Sequence, residues 1–181
     1  MAKDSRMGFR STIPDDTVEK SGVRMDFTGI EAEANSLFAG SGEPRGRLQA
    51  FCDLMRRRVP RYDWFGFYIA RRGERLLDLG PFAGEPTEHI LIPFGRGICG
   101  QAAESLETFV VDDVSSASNY LACSLKVKSE IVVPVPSPSS GELAGEIDID
   151  SHRVAAFGEG DRALLGRLVL LVAADVEALR K

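Results

Sequence analysis

The chain has 181 residues, of which 44% are hydrophobic and 27% are charged, and its formal net charge is −5. This length and composition fit one soluble globular domain, and the acidic balance argues against a nucleic-acid partner held by phosphate neutralisation. Three widely spaced cysteines fit neither a secreted disulfide framework nor a CxxC zinc site. Because no apolar segment is long enough for a signal peptide or a membrane span, we expect a cytoplasmic protein without a membrane partner.

The predicted elements describe a hairpin-rich domain with helices at both ends. Residues 1–28 mix charges without an apolar period, so we predict a flexible extension ahead of one domain at 29–181. Hairpins flanked by helices predict an α+β fold, an antiparallel sheet with helices covering one face. In chain order we predict a helix at 44–59, strands at 62–70, 75–79 and 88–92, a helix from the glycine turn at 95–100 to about 106, strands at 108–111, 130–135 and 143–150, and a closing helix at 160–179.

Alternation along two of these strands divides their side chains between the two faces of the sheet. One face is apolar, and the other combines aromatic side chains with a row of carboxylates. A solvated face explains the acids alone, whereas a pocket with aromatic walls explains both and suits a small ligand with an ammonium group. The first strand places Trp64, Gly66 and Tyr68 opposite to Phe65, Phe67 and Ile69, and the last places Glu146, Asp148 and Asp150 opposite to Leu143, Gly145, Ile147 and Ile149.

The three cysteines lie in different environments. Cys99 is in GRGICG at a helix start, where the helix dipole favours a thiolate, although a small buried residue is an equal interpretation. Cys123 lies in the polar loop NYLACSLK, where Lys126 and Lys128 also favour a thiolate. Cys52 lies on the apolar stripe of the first helix, so we assign it to the core.

Five ordered segments of the chain resemble the free methionine-(R)-sulfoxide reductases, which are stand-alone GAF domains. The 24-residue separation of Cys99 and Cys123 also agrees with that family. The segments are YDWFGFY at 62–68, GPFAG at 80–84, IPFGRGICG at 92–100, the Cys123 loop followed by SEIVVPV at 129–135, and GEIDIDS at 145–151.

This resemblance implies a GAF fold, in which the N- and C-terminal helices pack on one face of a central antiparallel sheet and the ligand pocket lies on the other. It implies reduction of the R-sulfoxide of free methionine through a sulfenic acid and a disulfide, with thioredoxin and NADPH as external reductants and no bound cofactor. In the implied site, Cys123 is the nucleophile, Cys99 its disulfide partner, Trp64 and Tyr68 the aromatic walls, and Glu130, Asp148 and Asp150 the pocket carboxylates.

Two questions stay open in the sequence. Many family members carry a further cysteine where this chain has His89, which keeps a non-catalytic GAF sensor or small-molecule-binding module as the alternative function. His89, Cys99 and Cys123 match no metal-site spacing, so we predict no metal. The apolar closing helix suits either the cover of the sheet or a homodimer.

Overall fold

Six strands form one antiparallel sheet in the order β3-β2-β1-β6-β5-β4. The computed structural model describes residues 27–116 and 126–181. No helix in these two ranges is long and apolar enough to cross a membrane. The elements are α1 (Thr28–Ala39), α2 (Pro44–Arg58), β1 (Trp64–Ala70), β2 (Leu76–Ala83), β3 (Leu91–Pro93), α3 (Gly97–Ser105), β4 (Phe109–Val111), a 3₁₀ turn (Val114–Ser116), β5 (Ser129–Pro136), β6 (Leu143–Ser151) and α4 (Glu159–Ala178).

Helices α1, α2 and α4 cover one face of the sheet and enclose the main hydrophobic core. Phe51 of α2 packs edge-on against Phe65 of β1, with ring centroids 5.5 Å apart. Cys52 is fully buried in the same core, as predicted. Helix α3 packs on the opposite face, over a smaller cluster that includes Trp64 and Tyr68. The predicted α+β fold, with terminal helices on one face, is therefore confirmed.

A buried acid holds the start of α4 in the three-helix layer. Asp161 is fully buried and accepts hydrogen bonds from Arg61 Nη2 at 2.6 Å and from the Tyr62 hydroxyl at 2.5 Å. Its other oxygen accepts from the backbone N–H of Gly158 at 2.9 Å, which caps the helix. These contacts tie α4 to the segment that enters β1.

Helix α1 was not predicted, although Ile30, Ala34 and Leu37 follow helical spacing. Ile30 and Ala34 are buried in the main core, so this short helix is stabilised by packing. The predicted extension falls largely on residues 1–26, outside the described residues, and it stays a prediction.

Two strands in the first half of the sheet differ from their predicted bounds. The prediction ended β2 before Gly80 and Pro81, but the strand continues to Ala83. A β-bulge opposite Phe67 accommodates these residues, because the register passes from Tyr68↔Leu79 to Gly66↔Phe82. The third strand is confined to Leu91–Pro93, which leaves 88–90 outside it.

One predicted face assignment is wrong. Leu143 packs in the cluster beneath α3, whereas Ile147 and Ile149 pack in the main core. The pairing passes from Val135↔Gly145 to Pro136↔Leu143, so Ala144 is an extra residue in β6. An extra residue in a strand reverses the alternation beyond it, which moves Leu143 to the other face.

Candidate functional site

The candidate site lies on the face of the sheet that α3 covers. Four buried acids there form what we call the carboxylate cluster: Glu130, Glu146, Asp148 and Asp150. Strand pairing aligns them with the aromatic residues in rows across β1, β6 and β5, where neighbouring strands lie about 4.8 Å apart. The rows are Trp64–Asp150–Glu130, Gly66–Asp148–Val132 and Tyr68–Glu146–Pro134.

The carboxylate cluster is almost completely shielded from solvent, with no member more than 3% exposed. Both oxygens of Glu146, one of Asp148 and one of Asp150 lack a hydrogen-bond partner among the described residues. Between residues of the described ranges, no lysine, arginine or histidine forms an ion pair with the cluster. Burying an ionised carboxylate without a partner is unfavourable, so these groups require protons or a cation.

Burial raises the pKa of every member of the cluster, and the charges of neighbouring carboxylates raise it further for Glu130, Glu146 and Asp150. For Glu130 burial is the main cause of the raised pKa, followed by the charges of Asp148, Asp150 and Glu146. Burial likewise dominates the raised pKa values of Glu146 and Asp150. For Asp148, burial raises the pKa to about 7. The cluster therefore retains protons at a pH where ordinary carboxyl groups are ionised.

Cys99 reaches the cluster from the first turn of α3. Its Sγ lies 3.8 Å from Oε1 of Glu130, and the side chain is buried. Two glycines make this approach possible: Gly97 has a φ of +68°, and a Cβ at Gly100 would collide with the carbonyl oxygen of Pro93. Ligand atoms of Cys99, Glu130 and Asp148 lie within 4.8 Å of one another, which makes these three residues a candidate cation site.

Trp64 forms the aromatic wall of the site. Its ring stacks on Phe82 at 5.4 Å and on Tyr68 at 6.4 Å between centroids. The indole lies over Gly66, where a Cβ would collide with the ring, and its Nε1 donates to the carbonyl oxygen of Glu85 at 3.1 Å. These contacts hold the ring beside the carboxylates.

A small pocket opens between Trp64, Asp150 and the loop that follows β2. It encloses about 30 Å³, and Asp63 and His152 also line it. Small-molecule pockets usually enclose roughly 300 Å³ or more, so an amino-acid ligand requires this pocket to widen.

The structure brings together six of the seven predicted site residues: Trp64, Tyr68, Cys99, Glu130, Asp148 and Asp150. Cys123 lies outside the described residues. Sequence reasoning placed Glu146 on the correct face but did not include it in the site, although the alternation of β6 carries that signal. His89 lies in the loop before β3, where its carbonyl oxygen accepts a hydrogen bond from the Tyr68 hydroxyl at 2.9 Å.

Comparison with known proteins agrees with this architecture. The family model described as "GAF domain" matches residues 43–175 of the chain. The free methionine-R-sulfoxide reductase of Saccharomyces cerevisiae is 40% identical over 111 residues, which cover 61% of this chain and 61% of that protein. The matched segment therefore spans less than two thirds of the yeast relative.

Two solved structures of similar proteins cover more of their chains. The type II free methionine-R-sulfoxide reductase of Thermoplasma acidophilum is 41% identical, with a TM-score of 0.71 over 76% of this chain and 94% of that one. The free methionine-R-sulfoxide reductase of Neisseria meningitidis, solved in complex with its substrate, is 34% identical, with a TM-score of 0.78 over 84% and 89%. The chain belongs to the GAF domain family and, within it, to the free methionine-R-sulfoxide reductases.

Proposed function

We propose that this protein reduces free methionine-(R)-sulfoxide to methionine with cysteine thiols. The observation that carries the proposal is the buried juxtaposition of Cys99, the carboxylate cluster and Trp64 on the pocket face. The names of the relatives support the same substrate, because the Neisseria enzyme is a free methionine-R-sulfoxide reductase solved with its substrate.

The cluster suits the amino-acid end of this substrate. Unpartnered buried carboxylates favour a cation, and the α-ammonium group of a free amino acid supplies one with three donors. A residue within a peptide chain has no such group. The stacked ring of Trp64 offers an apolar surface to the methyl group and side-chain carbons.

Cys123 is the proposed nucleophile. Its thiolate attacks the substrate sulfur and forms a transient sulfur–sulfur bond. That bond and the substrate S–O bond then break as a Cys123 S–O bond forms, and the oxygen takes up one proton. Two electrons pass from the cysteine to the methionine sulfur, which leaves methionine and a sulfenic acid. The Cys99 thiol condenses with the sulfenic acid to form a disulfide and water, and a thioredoxin dithiol restores both thiols.

Asp148 is the proposed proton donor to the departing oxygen. A pKa of about 7 lets this carboxyl hold a proton at neutral pH and release it readily, as a general acid requires. The remaining carboxylates are available to the ammonium group.

A coupled assay tests this function. Thioredoxin, its reductase and NADPH are supplied with free methionine-(R)-sulfoxide, and NADPH oxidation is recorded. We expect turnover with the free R epimer and none with Cys123→Ser, because the nucleophile is lost. Cys52→Ala, which alters a core cysteine on the other face, is the matched control and retains turnover.

Two outcomes oppose the proposal. Equal turnover by Cys123→Ser and the unaltered protein contradicts the assigned nucleophile. Tight binding of methionine sulfoxide without turnover favours the non-catalytic GAF module instead. Dependence on thioredoxin is examined in the same assay by omitting it.

A further inference from the structure

We propose that Cys99, Glu130 and Asp148, with Glu146 beside them, bind a zinc ion. Cys99 lies in α3, Glu130 in β5 and Asp148 in β6, and all three are buried. Their ligand atoms lie within 4.8 Å of one another in a space that α3 closes against the sheet.

One of these separations is close to that of a tetrahedral zinc site. Zn–S and Zn–O bonds of about 2.3 and 2.0 Å at a tetrahedral angle set the sulfur and oxygen about 3.5 Å apart. In this protein Sγ of Cys99 lies 3.8 Å from Oε1 of Glu130. This pair therefore lies close to the tetrahedral separation, and the other pairs among the three residues lie within 4.8 Å.

An independent observation indicates that the space favours a cation. Glu146 is completely buried, and neither of its carboxyl oxygens has a hydrogen-bond partner among the described residues. It is the next residue along β6 on the same face as Asp148, whose Oδ1 is also unpartnered. We therefore propose Glu146 as the fourth ligand, because zinc usually takes four.

The donor set distinguishes zinc from the common hard cations. Calcium binds six to eight oxygen ligands, and magnesium prefers oxygen ligands with several waters retained. A thiolate with two or three carboxylates in a closed space fits neither. Zinc accepts cysteine sulfur and carboxylate oxygen in one site.

A consequence for the reaction rests on the proposed function. If the same carboxylates hold the substrate ammonium group, zinc and methionine sulfoxide exclude each other. Zinc also occupies the Cys99 thiolate that resolves the sulfenic acid. Zinc is then an inhibitor that competes with the substrate, and a chelator restores turnover.

Cobalt substitution tests the site directly. The full chain is stripped of metal, kept reduced with a phosphine and titrated with Co²⁺ in the absence of methionine sulfoxide. We expect a thiolate-to-cobalt charge-transfer band in the near ultraviolet, and we expect one equivalent of Zn²⁺ to remove it. Cys99→Ser loses the band, whereas Cys52→Ala retains it.

Two carboxylate variants make the test independent of the cysteine. Glu130→Gln and Asp148→Asn each weaken Co²⁺ binding by more than the roughly 10–100-fold that loss of an outer-shell partner costs. Circular dichroism confirms that each variant is folded. A band that survives in Cys99→Ser, or unchanged affinity in both carboxylate variants, overturns the proposed site.

The two proposals fail separately. Binding of cobalt through Cys99 in a protein without reductase turnover upholds the metal site and contradicts the proposed function. Turnover in a protein that binds neither metal upholds the function and contradicts the metal site.

Discussion

Buried acidic side chains lie on both sides of the sheet, in the three-helix layer and in the carboxylate cluster. Asp161, in the three-helix layer, is fully buried and accepts hydrogen bonds from Arg61, Tyr62 and the Gly158 backbone. The carboxylate cluster is equally buried, yet four of its oxygens lack a partner among the described residues.

This difference in hydrogen bonding distinguishes a structural carboxylate, Asp161, from the carboxylates of the cluster, which remain available to a ligand. Burying a charged group is unfavourable unless a partner replaces water. For Asp161 the fold itself supplies that partner, so the contact stabilises the native state. For four oxygens of the cluster the described part of the fold supplies none, and the conformation is maintained by packing elsewhere. We infer that the cluster lowers stability in exchange for a cation-binding pocket.

The largest effect is expected from removing the structural acid. Asp161→Ala leaves the nearly buried Arg61 guanidinium without this carboxylate, which typically costs about 3–5 kcal/mol. Urea denaturation at neutral pH measures the loss. Asp161→Asn, which keeps the shape and a carbonyl acceptor, is the matched control and loses less. A loss below about 1 kcal/mol in Asp161→Ala would show that the pair is not structural.

A second effect is expected in the pH dependence of stability. The pKa of Asp148 is raised to about 7, and those of Glu130, Glu146 and Asp150 are also raised. Between pH 5 and 7 the folded state therefore binds more protons than the unfolded state. The free energy of unfolding falls as the pH rises, by up to about 1.4 kcal/mol per pH unit for each such group.

Asp148→Asn tests this assignment, because it removes one titrating group and keeps the side-chain volume. We expect a shallower fall in its free energy of unfolding over the same pH range. Asp78, whose pKa Arg71 lowers, affects stability only at more acidic pH and does not interfere. Parallel pH profiles for the variant and the unaltered protein would contradict the assignment.

Much of this contrast could be predicted from the sequence, because it depends on alternation. The alternation of side chains along β1 and β6 placed Trp64, Tyr68, Asp148 and Asp150 on one face and the apolar residues of β1 on the other. It did not reveal that Glu146 is sealed from solvent, since that requires α3 to fold over the sheet. The extra residue at Ala144 was not predicted either, because a β-bulge depends on the pairing with the neighbouring strand.

The role of Asp161 could not be predicted in the same way. Its partners lie 99 and 100 residues earlier in the chain. Local pattern identifies an acid near a helix start, which is ordinarily an exposed capping residue. Only the packing of α4 against the segment before β1 buries it beside Arg61 and Tyr62.

The smallest stability effect is expected from the most deeply buried member of the cluster. Glu146→Met replaces a carboxyl that has no hydrogen-bond partner in the described ranges with an apolar side chain of similar size. Such a replacement is nearly neutral or stabilising, so we expect a change within about 1 kcal/mol by urea denaturation. Glu146→Gln, which preserves shape and polarity, is its control. A loss as large as that of Asp161→Ala would mean that Glu146 is held by the fold and not kept for a ligand.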